Sequence, residues 1–173
     1  MSIVMQRRRV TDVAGLAGAD TLPALLLARA AAHPDRTAFR HKDLGIWHDV
    51  TWSQYLDEVG VLVHALRSLG LERGDRVAIH SENRPAWVLA DLAVQAMGAV
   101  SVGVYPTSPP AEVHYALEHS ETKVVIVEDE EQFDKTMEVR DRLPDLRYIV
   151  VIDPRGIRQL DDEQVLTLAE LEA

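Results

Sequence analysis

Apolar residues recur at helical spacing over the first part of the chain, up to Gly70. Leu22 to Ala32 places leucine and alanine three and four residues apart, which predicts a short helix. That helix should end before Pro34, because proline disfavours helical geometry in the residue that precedes it. Thr51 to Leu69 predicts a longer amphipathic helix, in which Thr51 and Gln54 have the spacing of a capping box.

A β-hairpin is predicted between these two helices. Ala38 to His41 and Ile46 to Val50 flank the turn-like sequence Lys42-Asp43-Leu44-Gly45. Two short runs joined by a tight turn that contains glycine are typical of antiparallel strands.

After Gly70 the pattern becomes an alternation of apolar runs and helical segments. Four runs have the continuous apolar character of strands buried on both faces: Val77–Ile79, Ala99–Val104, Val124–Val127 and Tyr148–Ile152. The segments after the first three predict helices over Pro85–Met97, Pro109–His119 and Asp129–Leu143. Crossovers of that length join parallel strands, so the fold class is α/β, a three-layer lobe built on a parallel sheet. Beyond Ile152 the pattern is lost until Thr167–Ala173, which predicts the start of a helix.

Composition narrows the class of protein. The 173 residues suffice for one domain, and 28 acidic against 18 basic side chains give a net charge of −10. So acidic a chain is a poor nucleic-acid partner, because phosphate backbones require basic surfaces. The absence of cysteine excludes disulfides, thiolate metal sites and cysteine nucleophiles, and favours a cytoplasmic protein.

The N-terminal residues 1–19 are interpreted as a flexible leader. They carry Arg7, Arg8 and Arg9 but lack the uninterrupted apolar segment of a secretory signal. The longest uncharged apolar run, Ala93 to Tyr105, is too short to span a bilayer, so no transmembrane segment is predicted.

Short sequence motifs do not indicate a specific binding or catalytic site. Neither a dinucleotide-binding glycine fingerprint nor a phosphate-binding P-loop is present, and Gly70 to Asp75 is interpreted as a plain turn into a strand. The seven histidines are predicted to be surface or hydrogen-bonded residues. His114 and Glu118 could share a helix face, but a metal site needs a third ligand.

The acidic and aromatic residues also have structural interpretations. Glu128 to Glu131 fits the start of a helix, where carboxylates interact favourably with the helix dipole. Five aromatic side chains could stack on a ligand, but they are predicted to anchor the core instead: Trp47, Trp52, Trp87, Tyr105 and Tyr115.

Four blocks of sequence are more specific: Thr51–Tyr55, Leu69–Ile79, Asn83–Trp87 and Gly98–Ser108. In order and spacing they closely resemble the N-terminal portion of long-chain fatty acid–CoA ligases, within the adenylate-forming acyl-CoA synthetase superfamily. The resemblance extends from about Asp20 to Ile152. It implies that residues 20–173 form the first lobe of the large N-terminal domain, truncated before that domain's phosphate loop.

The resemblance also implies a two-step reaction for the complete enzyme. A fatty acid carboxylate attacks the α-phosphate of ATP with Mg²⁺ assistance, and the thiol of coenzyme A then displaces AMP. The family's phosphate loop, its Tyr-Gly-x-Thr-Glu block, its ribose-binding aspartate and its C-terminal lysine do not occur here. We therefore predict no catalytic residue, metal ligand or cofactor for this chain alone, and we expect it to be inactive.

One loop is a candidate binding element. Tyr105, Pro106, Thr107 and Ser108 fall where some members of the family bring backbone close to coenzyme A. Those relatives carry glycines at positions where this sequence has bulkier residues. The other matching blocks are interpreted as architecture, with Gly74-Asp75-Arg76 turning into the first parallel strand and Trp87 packing on the sheet.

Three functions remain open at this point. The leading one is the N-terminal fragment of a long-chain fatty acid–CoA ligase, and the nearest alternative is a fragment of a fatty acyl–AMP ligase that stops at the adenylate. The third is a non-catalytic interaction module that complements a separately encoded remainder of the ligase. The four predicted strands end with Tyr148–Ile152, and at least one edge of their sheet is expected to be open to another chain. The expected partners are therefore that remainder or a second copy, together with the fatty acid in the complete enzyme. The expected location is the cytoplasm, with peripheral contact to the membrane as a further option.

Overall fold

The computed structural model describes residues 19–158 and 162–173. All but the last residue of the segment interpreted as a leader, 1–19, therefore lies outside the described residues. Within the described ranges, no helix combines the length and the apolar character needed to cross a membrane.

The N-terminal elements match the predicted pattern. Helix α1 covers Leu22–Ala32, strands β1 and β2 cover Thr37–Asp43 and Ile46–Thr51, and helix α2 covers Trp52–Ser68. The hairpin strands are antiparallel, with Asp43 opposite Ile46 across a two-residue turn. At the start of α2, the Gln54 amide donates to the Thr51 hydroxyl and the Thr51 amide donates to the Gln54 side chain, which confirms the capping box.

The remaining strands form one parallel sheet. Its strands are β3 (Arg76–His80), β4 (Val100–Val104), β5 (Val124–Val127), β6 (Tyr148–Val151) and β7 (Val165–Thr167), in the spatial order β4-β3-β5-β6-β7. Every neighbouring pair in this sheet is parallel. The helices that connect or follow the strands are α3 (Pro85–Ala96), α4 (Pro110–His119), α5 (Glu130–Val139, continued by a 3-10 turn over Arg140–Arg142) and α6 (Leu168–Glu172).

Alternation along β3 divides the interior into two apolar layers. Val77 and Ile79 point to one face of the sheet and pack with α1, α2 and α3. Ala78 points to the other face, which packs against α4 and α5. The two clusters confirm the three-layer α/β arrangement, because a strand covered on both faces must be apolar at every position.

The turn from α2 into β3 is the plain turn that the sequence predicts. Gly70 and Gly74 have φ values of 75° and 86°, which suit glycine. Asp75 accepts a hydrogen bond from the Glu72 amide at 2.9 Å and pairs with Lys123 Nζ at 2.5 Å. Burial alone would raise the pKa of Asp75, but the Lys123 contact and the Glu72 amide outweigh it and hold that pKa below its usual range.

The C-terminal edge of the sheet differs from the prediction. Strand β7 pairs with β6, with Val165 opposite Ile149, so the prediction that Tyr148–Ile152 is the last strand of the sheet is wrong. Strand β7 cannot be recognised from the hydrophobic pattern, because the strand is three residues long and only Val165 is buried. Within the described residues β4 pairs with β3 alone and β7 pairs with β6 alone, so each of these two outer strands has an unpaired edge.

The aromatic residues also depart from the prediction that all five anchor the core. Trp47, Tyr105 and Tyr115 are exposed, and only Trp52 and Trp87 are half-buried against the apolar cluster around α2. Trp47 lies on the distal half of the hairpin, and Tyr115 stacks on His119 on the surface of α4. Aliphatic side chains, mostly valine on the strands and leucine on the helices, fill the interior in their place.

Two leucines on helices provide a direct test of this core. Leu66 of α2 is 0% exposed, whereas Leu27 of α1 is 56% exposed. We expect Leu66→Ala to lower the free energy of unfolding by about 2–5 kcal/mol, because it leaves a cavity. Leu27→Ala should change it by less than about 0.5 kcal/mol. Urea unfolding of both variants measures the difference, and equal losses would contradict the assigned packing.

Candidate functional site

The carboxyl ends of the parallel strands hold the chemically interesting residues. In open α/β sheets, ligands bind at this edge and especially where successive connections diverge. Here β3 connects to β4 on one side through α3, and β4 connects to β5 on the other side of β3 through α4. The divergence point therefore lies between the ends of β3 and β5, at Ser81 and Glu128.

A carboxylate of the chain itself occupies this divergence point. Glu128 accepts hydrogen bonds from the Ser81 hydroxyl at 3.0 Å and from the Glu82 amide at 2.6 Å. Arg84 NH1 lies 3.1 Å from the other carboxylate oxygen. These donors are the groups that would hold a phosphate, but Glu128 satisfies them internally and adds negative charge. The arrangement does not favour an external anion at this point.

The rest of the predicted acidic run behaves as helix-start chemistry. Asp129 caps α5 by accepting from the Glu131 amide at 3.0 Å, and Glu130 and Glu131 lie in the first turn. Glu128 was not distinguished from its neighbours by sequence, because its role depends on Ser81 and Arg84, which are more than forty residues away along the chain.

An open cleft lies on the other side of β3, between the ends of β3 and β4. Its volume is about 510 Å³, and it is lined by Ser81, Glu82, Asn83, Trp87, Gly103, Val104, Tyr105, Pro106 and Thr107. The indole of Trp87 lies beside Gly103, where a Cβ would meet Trp87 Cζ2 at an ordinary contact distance of 3.9 Å. One wall of the cleft is therefore formed by Trp87 and the other by the segment that follows β4.

The loop Tyr105 to Ser108 forms that second wall. Its turn is closed by a 3.0 Å hydrogen bond from the Ser108 amide to the Tyr105 carbonyl. Lys135 Nζ of α5 donates to the Pro106 carbonyl at 2.8 Å, so the loop is fastened to the following crossover. Tyr105 is 80% exposed, whereas Ser108 is buried and donates to Glu112 at 3.1 Å. Three of the four predicted loop residues line the cleft, and Ser108 holds the start of α4.

His80 lies directly beneath this loop at the end of β3. It is fully buried, and neither ring nitrogen makes a hydrogen bond of standard geometry within the described residues. Burial lowers the pKa of His80 to about 4, and the charge of Lys135 acts in the same direction. The Tyr105 and Pro106 carbonyls and Glu131 oppose this shift without cancelling it. His80 is thus a neutral imidazole at physiological pH, between the sheet and the loop.

This position was missed by sequence reasoning, which predicted surface or hydrogen-bonded histidines. His80 directly follows the apolar run Val77–Ile79, and that adjacency is the signal that it continues the buried strand. His114 and Glu118 share a helix face as predicted, 3.8 Å apart, but His114 is half-buried and its Nε2 has no hydrogen-bond partner within the described residues. Across the described ranges, no group of three or more potential ligands is arranged to hold a metal ion.

Comparison with known proteins identifies the class to which this fold and cleft belong. The sequence model of the family described as "AMP-binding enzyme" matches residues 26–170 of this chain. The chain therefore belongs to the family of AMP-binding enzymes, the adenylate-forming ligases.

Individual relatives narrow the similarity. The chain is 32% identical over 142 residues to the long-chain-fatty-acid–CoA ligase FadD15 of Mycobacterium bovis, covering 82% of this chain and 24% of the relative. It is 30% identical over 149 residues to the long-chain-fatty-acid–CoA ligase ACSBG2 of Xenopus laevis, covering 86% of this chain and 20% of the relative. The solved acetoacetyl-CoA synthetase of Streptomyces lividans superposes with a TM-score of 0.76 at 28% identity, over 87% of this chain and 24% of that one. The chain thus spans about a quarter or less of the length of these relatives.

Burial of His80 predicts a dependence of stability on pH. Its pKa of about 4 in the folded protein lies below the ordinary value of 6.5, so the unfolded chain takes up the proton first as pH falls. The contribution of neutral His80 is complete above pH ~6.5 and declines between pH ~6.5 and ~4, by less than about 1.4 kcal/mol per pH unit. His80→Leu should flatten the loss of unfolding free energy between pH 7 and pH 5, as measured by urea titration. Exposed His48→Gln is the control, and an unchanged slope in His80→Leu would contradict the assignment.

Proposed function

We propose that this chain forms the N-terminal lobe of a long-chain fatty acid–CoA ligase, which joins a fatty acid and coenzyme A at the cost of ATP cleavage to AMP and pyrophosphate. The observation that carries the proposal is the similarity, over more than four fifths of the chain, to two relatives that are both long-chain-fatty-acid–CoA ligases, one bacterial and one from a vertebrate. Residues 20–173 would be the part of the large domain that precedes its phosphate loop.

The cleft between β3 and β4 would serve the coenzyme A side of the complete enzyme. Tyr105, Pro106 and Thr107 line the cleft, and Lys135 fixes the position of this loop through the Pro106 carbonyl. The thiol-bearing arm of coenzyme A is narrow, which suits a cleft between the Trp87 ring and this loop. Ser108 would act through α4 and not by direct contact.

ATP and Mg²⁺ would be held mainly by other parts of the complete enzyme. Glu128 already satisfies the donors at the divergence point of the sheet, and no metal-binding cluster is present in the ranges 19–158 and 162–173. Charge stabilisation on the transferring phosphoryl group requires positioned cations, and it is usually the largest contribution to catalysis. The lobe would therefore contribute architecture and part of the thiol channel, in a cytoplasmic enzyme.

Activity measurements test whether this chain requires the other parts of the complete enzyme for catalysis. We expect the purified chain neither to exchange pyrophosphate into ATP nor to form palmitoyl-CoA. The decisive sample mixes the chain with a shortened form of the Mycobacterium bovis relative, from which the segment that matches this chain has been deleted. Palmitoyl-CoA formed by the mixture supports the proposal, whereas palmitoyl-AMP as the end product supports an acyl–AMP ligase. Adenylation by the chain alone, free of host ligase, would overturn the proposal.

Association is the expected behaviour of an isolated lobe. Strand β4 has an unpaired edge within the described residues, and Val100 on it and Val88 on the adjoining α3 are exposed. Unpaired edges recruit another chain unless charge or a covering element prevents it. We expect self-association, or binding to the shortened ligase, that strengthens with added salt because the net charge of −10 opposes contact between copies. Light scattering over a range of protein and salt concentrations measures this association. A chain that stays monomeric and does not bind the shortened ligase would refute the expectation.

A further inference from the structure

The distal half of the β1–β2 hairpin extends away from the rest of the molecule. All residues from 42 to 49 are exposed, on both faces of the hairpin. The proximal half is anchored, with Phe39 packing edge-on against Tyr55 of α2 at 5.1 Å between ring centroids and Val50 buried in the core. An isolated two-stranded ribbon is only marginally stable, so the exposed end depends on that anchorage.

Apolar side chains are concentrated at this exposed end. Leu44 is 94% exposed, Ile46 is 63% exposed and Trp47 is 64% exposed. We call these three residues the hairpin tip. They lie within four consecutive positions at the convex end of the hairpin, and no other element of the described structure covers them.

Leu44 is not accounted for by the geometry of its turn. Leu44 and Gly45 have φ values of 45° and 86°, as in a two-residue turn with left-handed backbone at both positions. Asn-Gly is the preferred sequence of such a turn, and a leucine side chain is disfavoured at positive φ. Leu44 therefore destabilises the turn and gains no burial within the molecule. A contact outside the molecule would explain its presence.

The charges around the tip suit a lipid interface. Lys42 lies opposite Trp47 in the hairpin, with its Nζ 6.0 Å from the centroid of the indole ring. Arg40 is paired with Asp49, and residues 40–49 carry two basic and two acidic side chains. The hairpin end is thus locally neutral on a chain of net charge −10. Tryptophan next to lysine is the combination that resides at the boundary between acyl chains and headgroups.

We propose that the hairpin tip inserts into the interfacial layer of a lipid bilayer. The convex tip would place Leu44 and Ile46 among the upper acyl chains, with the Trp47 indole at the headgroup level and the Lys42 ammonium reaching lipid phosphates. The choice of a bilayer over a groove on another protein rests partly on the proposed function, because a long-chain fatty acid partitions into membranes. Since the acidic surface opposes anionic lipids, phosphatidylcholine is the favoured surface.

Vesicle flotation with pure phosphatidylcholine, without ATP or coenzyme A, tests the proposal. Leu44→Asn is the decisive variant, because asparagine tolerates the left-handed turn and should leave folding intact. Leu27→Asn is the matched control, since Leu27 is also exposed but lies on α1. We expect Leu44→Asn to lower the bound fraction about tenfold, as loss of one inserted leucine predicts, and Leu27→Asn to lower it less than twofold. A double variant, Leu44→Asn with Ile46→Thr, should abolish binding.

Each outcome is decisive. Absence of wild-type binding to the vesicles, or equal losses in the Leu44 and Leu27 variants, would overturn the proposal. Light scattering without lipid, on the chain alone and with the shortened ligase, provides the other arm. Association that is lost in Leu44→Asn would assign the tip to a second copy or to the rest of the ligase and refute the bilayer. Vesicle binding does not require ligase activity. If the chain binds vesicles but its mixture with the shortened ligase forms no palmitoyl-CoA, the proposed function fails and the assignment of the hairpin tip is retained.

Discussion

The fold depends on one constraint, which is that β3 must be covered on every side. It has β4 and β5 as neighbours in the sheet and helices on both faces, and Val77 to His80 are all buried. A strand in that position can tolerate polar side chains only at its end, where the chain leaves the sheet. The residues from His80 to Trp87 consequently supply the side of the carboxyl edge that faces both Glu128 and the Tyr105–Ser108 loop.

The same constraint explains why the two sides of that edge differ. Towards β5, the donors of Ser81, Glu82 and Arg84 converge on the Glu128 carboxylate and close the divergence point. Towards β4, Trp87 lies beside Gly103, and Lys135 fastens the Tyr105–Ser108 loop to α5 through the Pro106 carbonyl. A charged, internally satisfied side therefore lies next to an open cleft of about 510 Å³. The open side has room for part of a small molecule.

Much of this arrangement could be predicted from local sequence, because its causes are local. The Thr51 capping box, the glycine turn before β3 and the valine-rich strands each depend on residues within a few positions of one another. The features that were missed depend on distant contacts. Strand β7 exists through pairing with β6, the role of Glu128 requires Ser81 and Arg84, and the burial of His80 requires the loop folded over it. The prediction that all five aromatic residues anchor the core was wrong for a related reason. The residue type does not show whether a large apolar side chain is buried, because burial depends on distant parts of the chain.

The exposed aromatic side chains gain significance from where they lie. The interior is complete without Trp47 and Tyr105, because aliphatic residues fill both apolar layers. Trp47 lies on the hairpin end that nothing else covers, and Tyr105 lies on the loop that walls the cleft. Because neither ring is needed to fill the core, each lies on a surface that remains available for a contact outside this lobe. The cleft and the hairpin tip are two separate surfaces of that kind, one suited to part of a small molecule and the other to an apolar phase.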